Sequence, residues 1–243
     1  MKKEFKSRSG AQKVRGKEKV AVFDIDGTVF RSSLLIELME ALVLEKIVPQ
    51  RAGASWGAEY QAWLERRGTY RAYIDKVILA SYRHLRGVSQ FKVWEIAKKV
   101  IAFHKSRVYR FTRDLVRELK PTHYLLAISG SPYDVVQPFC REFGFDKVYG
   151  TIYEVDGRSR FTGRILYEEF VRDKRKTLER ALIKEELTLA GSVGVGDTET
   201  DIPFLKMVER PIAFNPNEKL YRYAKRRGWE IVVERKDVVY TIK

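Results

Sequence analysis

One run constrains this chain more than any other: in Val20-Ala-Val-Phe-Asp24-Ile-Asp26-Gly27-Thr28, an apolar, β-prone segment ends in two carboxylates, a glycine and a hydroxyl. Such a run reads as a buried strand delivering acids to its C-terminal edge. Residues two apart on a strand share a face, so Asp24 and Asp26 can project into one small volume. Carboxylates that close repel, and they need a cation, a shared proton or a helix N-terminus beside them. Gly27-Thr28, leading into an apolar periodic segment, supplies a turn and a helix start. An Asp-x-Asp by itself is equally ordinary turn chemistry, so the rest of the chain decides its meaning.

At 243 residues the chain exceeds a usual single domain, which predicts a large α/β domain with an insertion or two unequal domains. Its 44% hydrophobic and 33% charged residues describe a globular protein with a heavily charged surface. No apolar run approaches the ~18 residues of a membrane span. The net charge of +15 favours anionic partners, such as phosphorylated metabolites, nucleic acid or an anionic surface. Part of that excess lies at the start, where Lys2, Lys3, Lys6, Arg8, Lys13, Arg15, Lys17 and Lys19 face only Glu4 and Glu18. Residues 1–18 are therefore expected to be a flexible basic tail without the apolar core of a secretory signal. Cys140 is the only cysteine, which excludes an internal disulfide and a Cys-rich zinc site and makes a cytoplasmic location the default. His84, His104 and His123 lack ligand spacing.

Apolar residues at helical spacing predict a helix over Ser32–Lys46, ended by Pro49 and Gly53. Three more are predicted over Trp56–Arg66, Tyr70–Leu85 and Ser89–Lys105. No strand pattern interrupts Ser32–Tyr109, so residues 32–109 read as a helical cap inserted directly after the acidic strand, its aromatic stripe forming a small core of its own. From Arg110 the pattern alternates: helix 110–120, strand His123–Ile128, helix Tyr133–Phe143, strand Ala190–Val195, helix Ile202–Val208, strand Pro211–Phe214, helix Glu218–Arg227 and strand Glu230–Val233. Asp156-Gly157 between β-prone runs marks a hairpin, read as a flap at the sheet edge. The alternation predicts an α/β fold with a doubly wound parallel sheet, built from residues 19–31 and 110–243.

Three predicted strands end in polar residues: Asp24 and Asp26, then Ser129-Gly130, then Gly196-Asp197 with Asp201 four residues on. Ligands bind at the C-terminal edge of open α/β sheets. Four aspartates without histidine or cysteine suit a hard cation, magnesium before calcium. Ser129 and the Gly130 N–H offer donors to a phosphate, since glycine lets an anion approach the main chain. Arg172-Asp173-Lys174-Arg175-Lys176, at a helix start, offers a cation to balance the acids.

Together, Asp24-Ile-Asp26-Gly-Thr28, Ser129, Lys174 and Gly196-Asp197-x-x-x-Asp201 resemble the four signature motifs of the haloacid dehalogenase superfamily, in the same order. The resemblance runs from about Lys19 to Val233. Ile128-Ser-Gly-Ser-Pro, Thr162-Gly-Arg and Asn215-Pro-Asn resemble the phosphoserine-phosphatase-like branch, which carries a helical cap after the first motif. The resemblance implies a Rossmann-like core and phosphoryl transfer to water through an aspartyl-phosphate, on a small phosphorylated substrate. It implies Asp24 as nucleophile and Asp26 as acid and base. Magnesium would be held by Asp24, the Asp26 carbonyl, Asp197 and Asp201, and the phosphoryl oxygens by Ser129, Gly130 and Lys174. Lys174 is preferred to Lys176 because relatives carry leucine four residues after the motif lysine, as Leu178 stands here.

Phe30-Arg31-Ser32-Ser33 stands where phosphoserine-cleaving relatives carry a glutamate, and Thr200 where they carry asparagine. This directs the expected substrate away from phosphoserine toward a phosphorylated alcohol, sugar or nucleotide. Two readings from other classes compete: a non-catalytic receiver-like switch and a basic nucleic-acid-binding module.

Overall fold

The computed structural model describes residues 18–242, so the expected basic tail lies, apart from Glu18, outside the described residues. Strand β1 (Glu18–Phe23) is followed by α1 (Leu34–Leu44), α2 (Arg51–Leu64), α3 (Tyr70–His84), α4 (Gln90–His104) and α5 (Arg110–Leu119). Then come β2 (Tyr124–Pro132), α6 (Tyr133–Glu142), β3 (Lys147–Val155), β4 (Phe161–Leu166), α7 (Glu168–Arg172) and α8 (Lys174–Lys184). The chain continues through β5 (Leu187–Gly196), a 3-10 turn (Glu199–Asp201), α9 (Ile202–Leu205), β6 (Arg210–Phe214), α10 (Glu218–Arg227), β7 (Glu230–Arg235) and β8 (Val238–Ile242).

The eight strands form one sheet in the order β4-β3-β2-β1-β5-β6-β7-β8. The six inner strands run parallel, and β4 and β8 close the edges antiparallel. β1 is central and buried on both faces, which is why its sequence is a continuous apolar run rather than an alternation. Ala21 and Phe23 pack on one face with α1, α5 and α6, and Val20 and Val22 on the other with α8, α9 and α10. Each fully buried large side chain there contributes about 1.5–3 kcal/mol.

Several sequence expectations need correction. Gly53 does not end α1: it lies inside α2, which begins at Arg51, where the cost of a helical glycine of about 1 kcal/mol is offset by the buried Ala52 and Trp56 beside it. Val148–Thr151, read as part of a flap, runs parallel to β2, and only the outer half of β3, from Ile152, pairs with β4 as a hairpin. β8 (Val-Val-Tyr-Thr-Ile) is an edge strand that the sequence reading leaves out, with Val238, Tyr240 and Thr241 exposed and no residue fully buried. Nor do the insertion's helices bury a core of their own: Tyr73, Val77, Val93, Ile96 and Val100 belong to the cluster that holds Phe23, Phe30 and Phe139.

Besides the shared apolar cluster, two sets of main-chain hydrogen bonds tie the insertion down. At its base the linkers run side by side, Arg31 N donating to Arg107 O (2.9 Å) and Tyr109 N to Val29 O (3.1 Å). At its far end the α3–α4 loop is stitched to the β3–β4 hairpin: Gly87 N to Phe161 O (2.7 Å), Phe161 N to Val88 O (3.0 Å) and Gln90 N to Ser159 O (2.9 Å). Beneath the stitch, the buried hydroxyls of Ser81 and Tyr153 share a hydrogen bond of 2.8 Å. Among the described residues no helix is long and apolar enough to cross a membrane.

The Ser81–Tyr153 bond separates a lost contact from a stranded polar group. Ser81→Ala leaves the buried phenol without a partner and is expected to cost about 1–3 kcal/mol, whereas Tyr153→Phe, with Ser81 still donating to Ile78 O, should cost within about 1 kcal/mol. Urea denaturation of both variants measures the difference.

Candidate active site

β1 extends one residue past its regular pairing, with Asp24 N donating to Val195 O at 2.9 Å, and this fixes Asp24 at the sheet edge beside β5. The chain then coils tightly: Val29 N and Phe30 N both donate to Ile25 O, at 2.9 and 2.8 Å. The turn leads into α1, which begins at Leu34, within the helix predicted over Ser32–Lys46. Gly27 has φ +82°, and a Cβ there would lie 2.1 Å from Asp197 Oδ2. The glycine is thus demanded twice, by the left-handed backbone and by the approach of a carboxylate.

The turn sends the two acids apart. Asp24 accepts from Thr28 Oγ1 at 3.0 Å and from the Lys174 ammonium. Asp26 turns the other way, toward the end of β2, accepting from Ser129 Oγ (2.6 Å), Ser131 Oγ (2.9 Å) and Leu34 N (2.6 Å). The expectation that both carboxylates share one volume therefore fails for Asp26. Asp24 instead meets Asp197 and Asp201, an oxygen from each lying within 4.8 Å of the others. The tight turn after β5 aims them: Asp201 Oδ2 accepts from Asp197 N and Thr198 N, both at 3.0 Å, and Asp201 Oδ1 accepts from Lys174 Nζ at 2.5 Å.

Lys174 is the first residue of α8, capped by the Asp173 side chain. It is buried against Asp24 and Asp201, whereas Lys176 is exposed on the same helix. Gly130 is open to solvent, with nothing within 4 Å of the position a Cβ would take, and Thr151 Oγ1 ties down its carbonyl at 2.6 Å.

Electrostatically the cluster is under-neutralised. Burial, Asp201 and Asp26 push the Asp24 carboxyl from its ordinary 3.8 up to about 7, although Lys174 pulls it down. Burial and the neighbouring Asp24 and Asp201 carboxylates hold Asp197 well above its usual range. Burial works against the Lys174 ammonium, but Asp201 and Asp24 outweigh it and keep it above its ordinary value. Three carboxylates gathered beside a single ammonium, Asp24 and Asp197 among them resisting ionisation, fit a hard divalent cation. Asp24, Asp197 and Asp201 are the side chains that would hold it.

Three side chains at the site escape the sequence reading. Thr28 Oγ1 donates to Asp24 and stands 3.4 Å from Asp197 Oδ1; its place in the acidic run is the available signal. Ser131 holds Asp26, as the second serine of Ser129-Gly-Ser131. Tyr70, at the start of α3, packs on Trp63 and Tyr73. Burial, then the charges of Asp26, Asp197 and Asp24, raise its phenol, so the ring lies within electrostatic reach of the acids. No periodicity singles it out from the aromatic stripe.

Comparison with known proteins agrees with this geometry. The sequence model of the haloacid dehalogenase-like hydrolases matches residues 21–206. A histidinol-phosphatase of Neisseria meningitidis is 24% identical over 226 residues, 88% of this chain and 97% of that protein. Among solved structures, a Bordetella pertussis protein of unknown function superposes with a TM-score of 0.70 at 22% identity, covering 88% of this chain and 98% of that one. A phosphoserine phosphatase carrying an analogue of its phospho-aspartyl intermediate superposes with a TM-score of 0.58 at 22% identity, covering 91% and 95%. The fold is thus that of an α/β hydrolytic enzyme with acids at the strand ends. The chain belongs to the haloacid dehalogenase-like hydrolase family, which sets aside the non-catalytic switch.

The raised Asp24 carboxyl has a signed consequence. Between about pH 4 and 7 the native protein holds a proton on Asp24 that the unfolded chain has released, so this group's contribution to metal-free stability falls as pH rises through that window. A divalent cation competes with that proton. The rise in Tm on adding magnesium is therefore expected to grow with pH through about 7 and to be largely lost in Asp24→Asn; calorimetry from pH 5.5 to 8.5 reads both.

Proposed function

We propose that the protein is a magnesium-dependent phosphomonoester hydrolase acting on a small phosphorylated metabolite through an aspartyl-phosphate. The observation that carries this reading is the opposed setting of the two acids of the first strand. Asp24 is fixed by Lys174 and Thr28, while Asp26 is held two residues on by Ser129, Ser131 and Leu34 N. One acid is thereby free to bond to phosphorus while the other handles protons. The relatives, a histidinol-phosphatase and a phosphoserine phosphatase, support phosphate esters as the substrate class.

In this mechanism an ionised Asp24 oxygen attacks phosphorus as the bond to the ester oxygen breaks, and Asp26 gives its proton to the departing alkoxide. Asp26, now a carboxylate, takes a proton from a water that attacks the phosphoryl group, which releases inorganic phosphate and restores Asp24. Lys174, Ser129 and the Gly130 N–H bind the phosphoryl oxygens. Asp24, Asp197, Asp201 and the Asp26 carbonyl would hold magnesium, which would supply neutralisation of charge on the transferring group. Tyr70 and the rest of the insertion exclude water and complete the site.

Among the described residues, the insertion's first linker, from Arg31 to Ser33, carries no carboxylate. Ser32 and Ser33 are uncharged, and Glu37 on α1 is engaged by His104 (3.0 Å) and Arg107 (2.9 Å). An ammonium on the substrate would stay poorly paired once desolvated. This favours hydroxyl-bearing or additionally anionic esters over phosphoserine.

Asp24→Asn is expected to lower kcat by ~10²-fold or more, because an amide does not attack phosphorus. Acid-quenched labelling should show a hydroxylamine-sensitive phosphoenzyme in the wild type and none in Asp24→Asn. Turnover that persists in Asp24→Asn, or after chelation of divalent cations, refutes the mechanism. In a substrate comparison at fixed magnesium, phosphoserine winning by more than about tenfold in kcat/KM, ~1.4 kcal/mol of transition-state discrimination, refutes the leaving-group preference.

A further inference from the structure

The hydroxyl of Ser131 has a setting that binding phosphate does not explain. Ser131 is buried, 3% exposed, at the end of β2. Its Oγ donates to Asp26 Oδ1 at 2.9 Å and accepts the Leu35 N–H at 3.0 Å. Its own N–H is taken by Ser129 Oγ at 3.0 Å. Every polar group it brings to the site is therefore turned toward Asp26, Ser129 or the first turn of α1.

The partners of Asp26 divide by oxygen. Oδ2 is met by Ser129, while Oδ1 is met by Ser131 Oγ and Leu34 N. Two donors on Oδ1 and one on Oδ2 resist rotation of the carboxylate about its Cβ–Cγ bond. Without the Ser131 hydroxyl, Oδ1 keeps only a main-chain donor, and the buried Leu35 N–H loses its acceptor. A misplacement of about 1 Å in an acid–base group is enough to slow proton transfer severely.

We infer that Ser131 is a positioning residue for the proton transfers, locking the Asp26 carboxylate in register with the departing ester oxygen through the shared Oδ1. This rests on the phosphatase reading and adds to it a residue outside the phosphate-binding and metal-holding set. Ser131 acts through Asp26, so its influence follows the leaving group's need for a proton. A p-nitrophenolate departs as an anion, whereas an alkoxide is protonated as its P–O bond breaks.

The test is the ratio of kcat/KM for an alkyl phosphate, glycerol 3-phosphate, to that for p-nitrophenyl phosphate. kcat/KM covers the steps through leaving-group departure, so the later hydrolysis of the phosphoenzyme does not blur it. Ser131→Ala is expected to lower this ratio by about tenfold or more. Ser131→Cys keeps the volume and offers only a weak donor, and should skew the ratio in the same direction if alanine disturbs packing. In an Asp26→Ala background the Ser131 substitutions should leave the ratio within about twofold of the single Asp26 variant, the non-additivity of residues acting as a unit. Equal losses on both esters, or an additive effect in that background, overturn the positioning role and leave the phosphatase reading standing. A wild type that turns over neither ester with magnesium overturns both.

Discussion

The structure depends on a charge imbalance: Asp24, Asp197 and Asp201 are gathered around the single ammonium of Lys174. Such a group costs folding energy unless something at its centre takes up the excess charge. The fold tolerates it by delivering Asp24 from the end of β1 and Asp197 and Asp201 from the turn after β5, and by satisfying Asp201 with two main-chain N–H groups. A buried parallel sheet can do this because its strand ends converge at one edge while its apolar residues fill both faces.

Around that cluster the local geometry is consistent in purpose. Gly27 has no Cβ because Asp197 occupies the space it would need. Gly196 is similarly hemmed in, a Cβ there lying 2.5 Å from the Cβ of Asp201. Thr28 bridges β1 to β5 through Asp24 and Asp197, and its own carbonyl receives Thr112 Oγ1 from α5 at 2.9 Å. The acidic loop is held from both chain directions, so the candidate site sits on a rigid scaffold.

Much of this arrangement is legible in the amino-acid sequence. The apolar run into Asp24, the β–α alternation after Arg110 and the spacing of Asp197 and Asp201 are local patterns, and local patterns survive folding. Lys174 is separable from Lys176 in the sequence only through family resemblance; the structure separates them by burial on one helix turn. The direction of Asp26 is not legible, because a tight turn overrides the two-residue periodicity of a strand at its end. β3 is only half legible, since a strand that leaves a parallel sheet to form a hairpin carries both patterns in one segment. Ser131 and Tyr70 are invisible for a simpler reason: their roles come from what faces them across the fold.

The stitch between the α3–α4 loop and the β3–β4 hairpin carries a mechanical consequence. A door pinned at both its jambs cannot swing, and this insertion is fastened at its base by the paired linkers and at its far end by three main-chain bonds. The portion outside both fastenings is α2 with the first turn of α3, where Tyr70 stands; α2 buries only Ala52 and Trp56. These bonds therefore leave α2 and the first turn of α3 as the corner of the insertion least tied to the core.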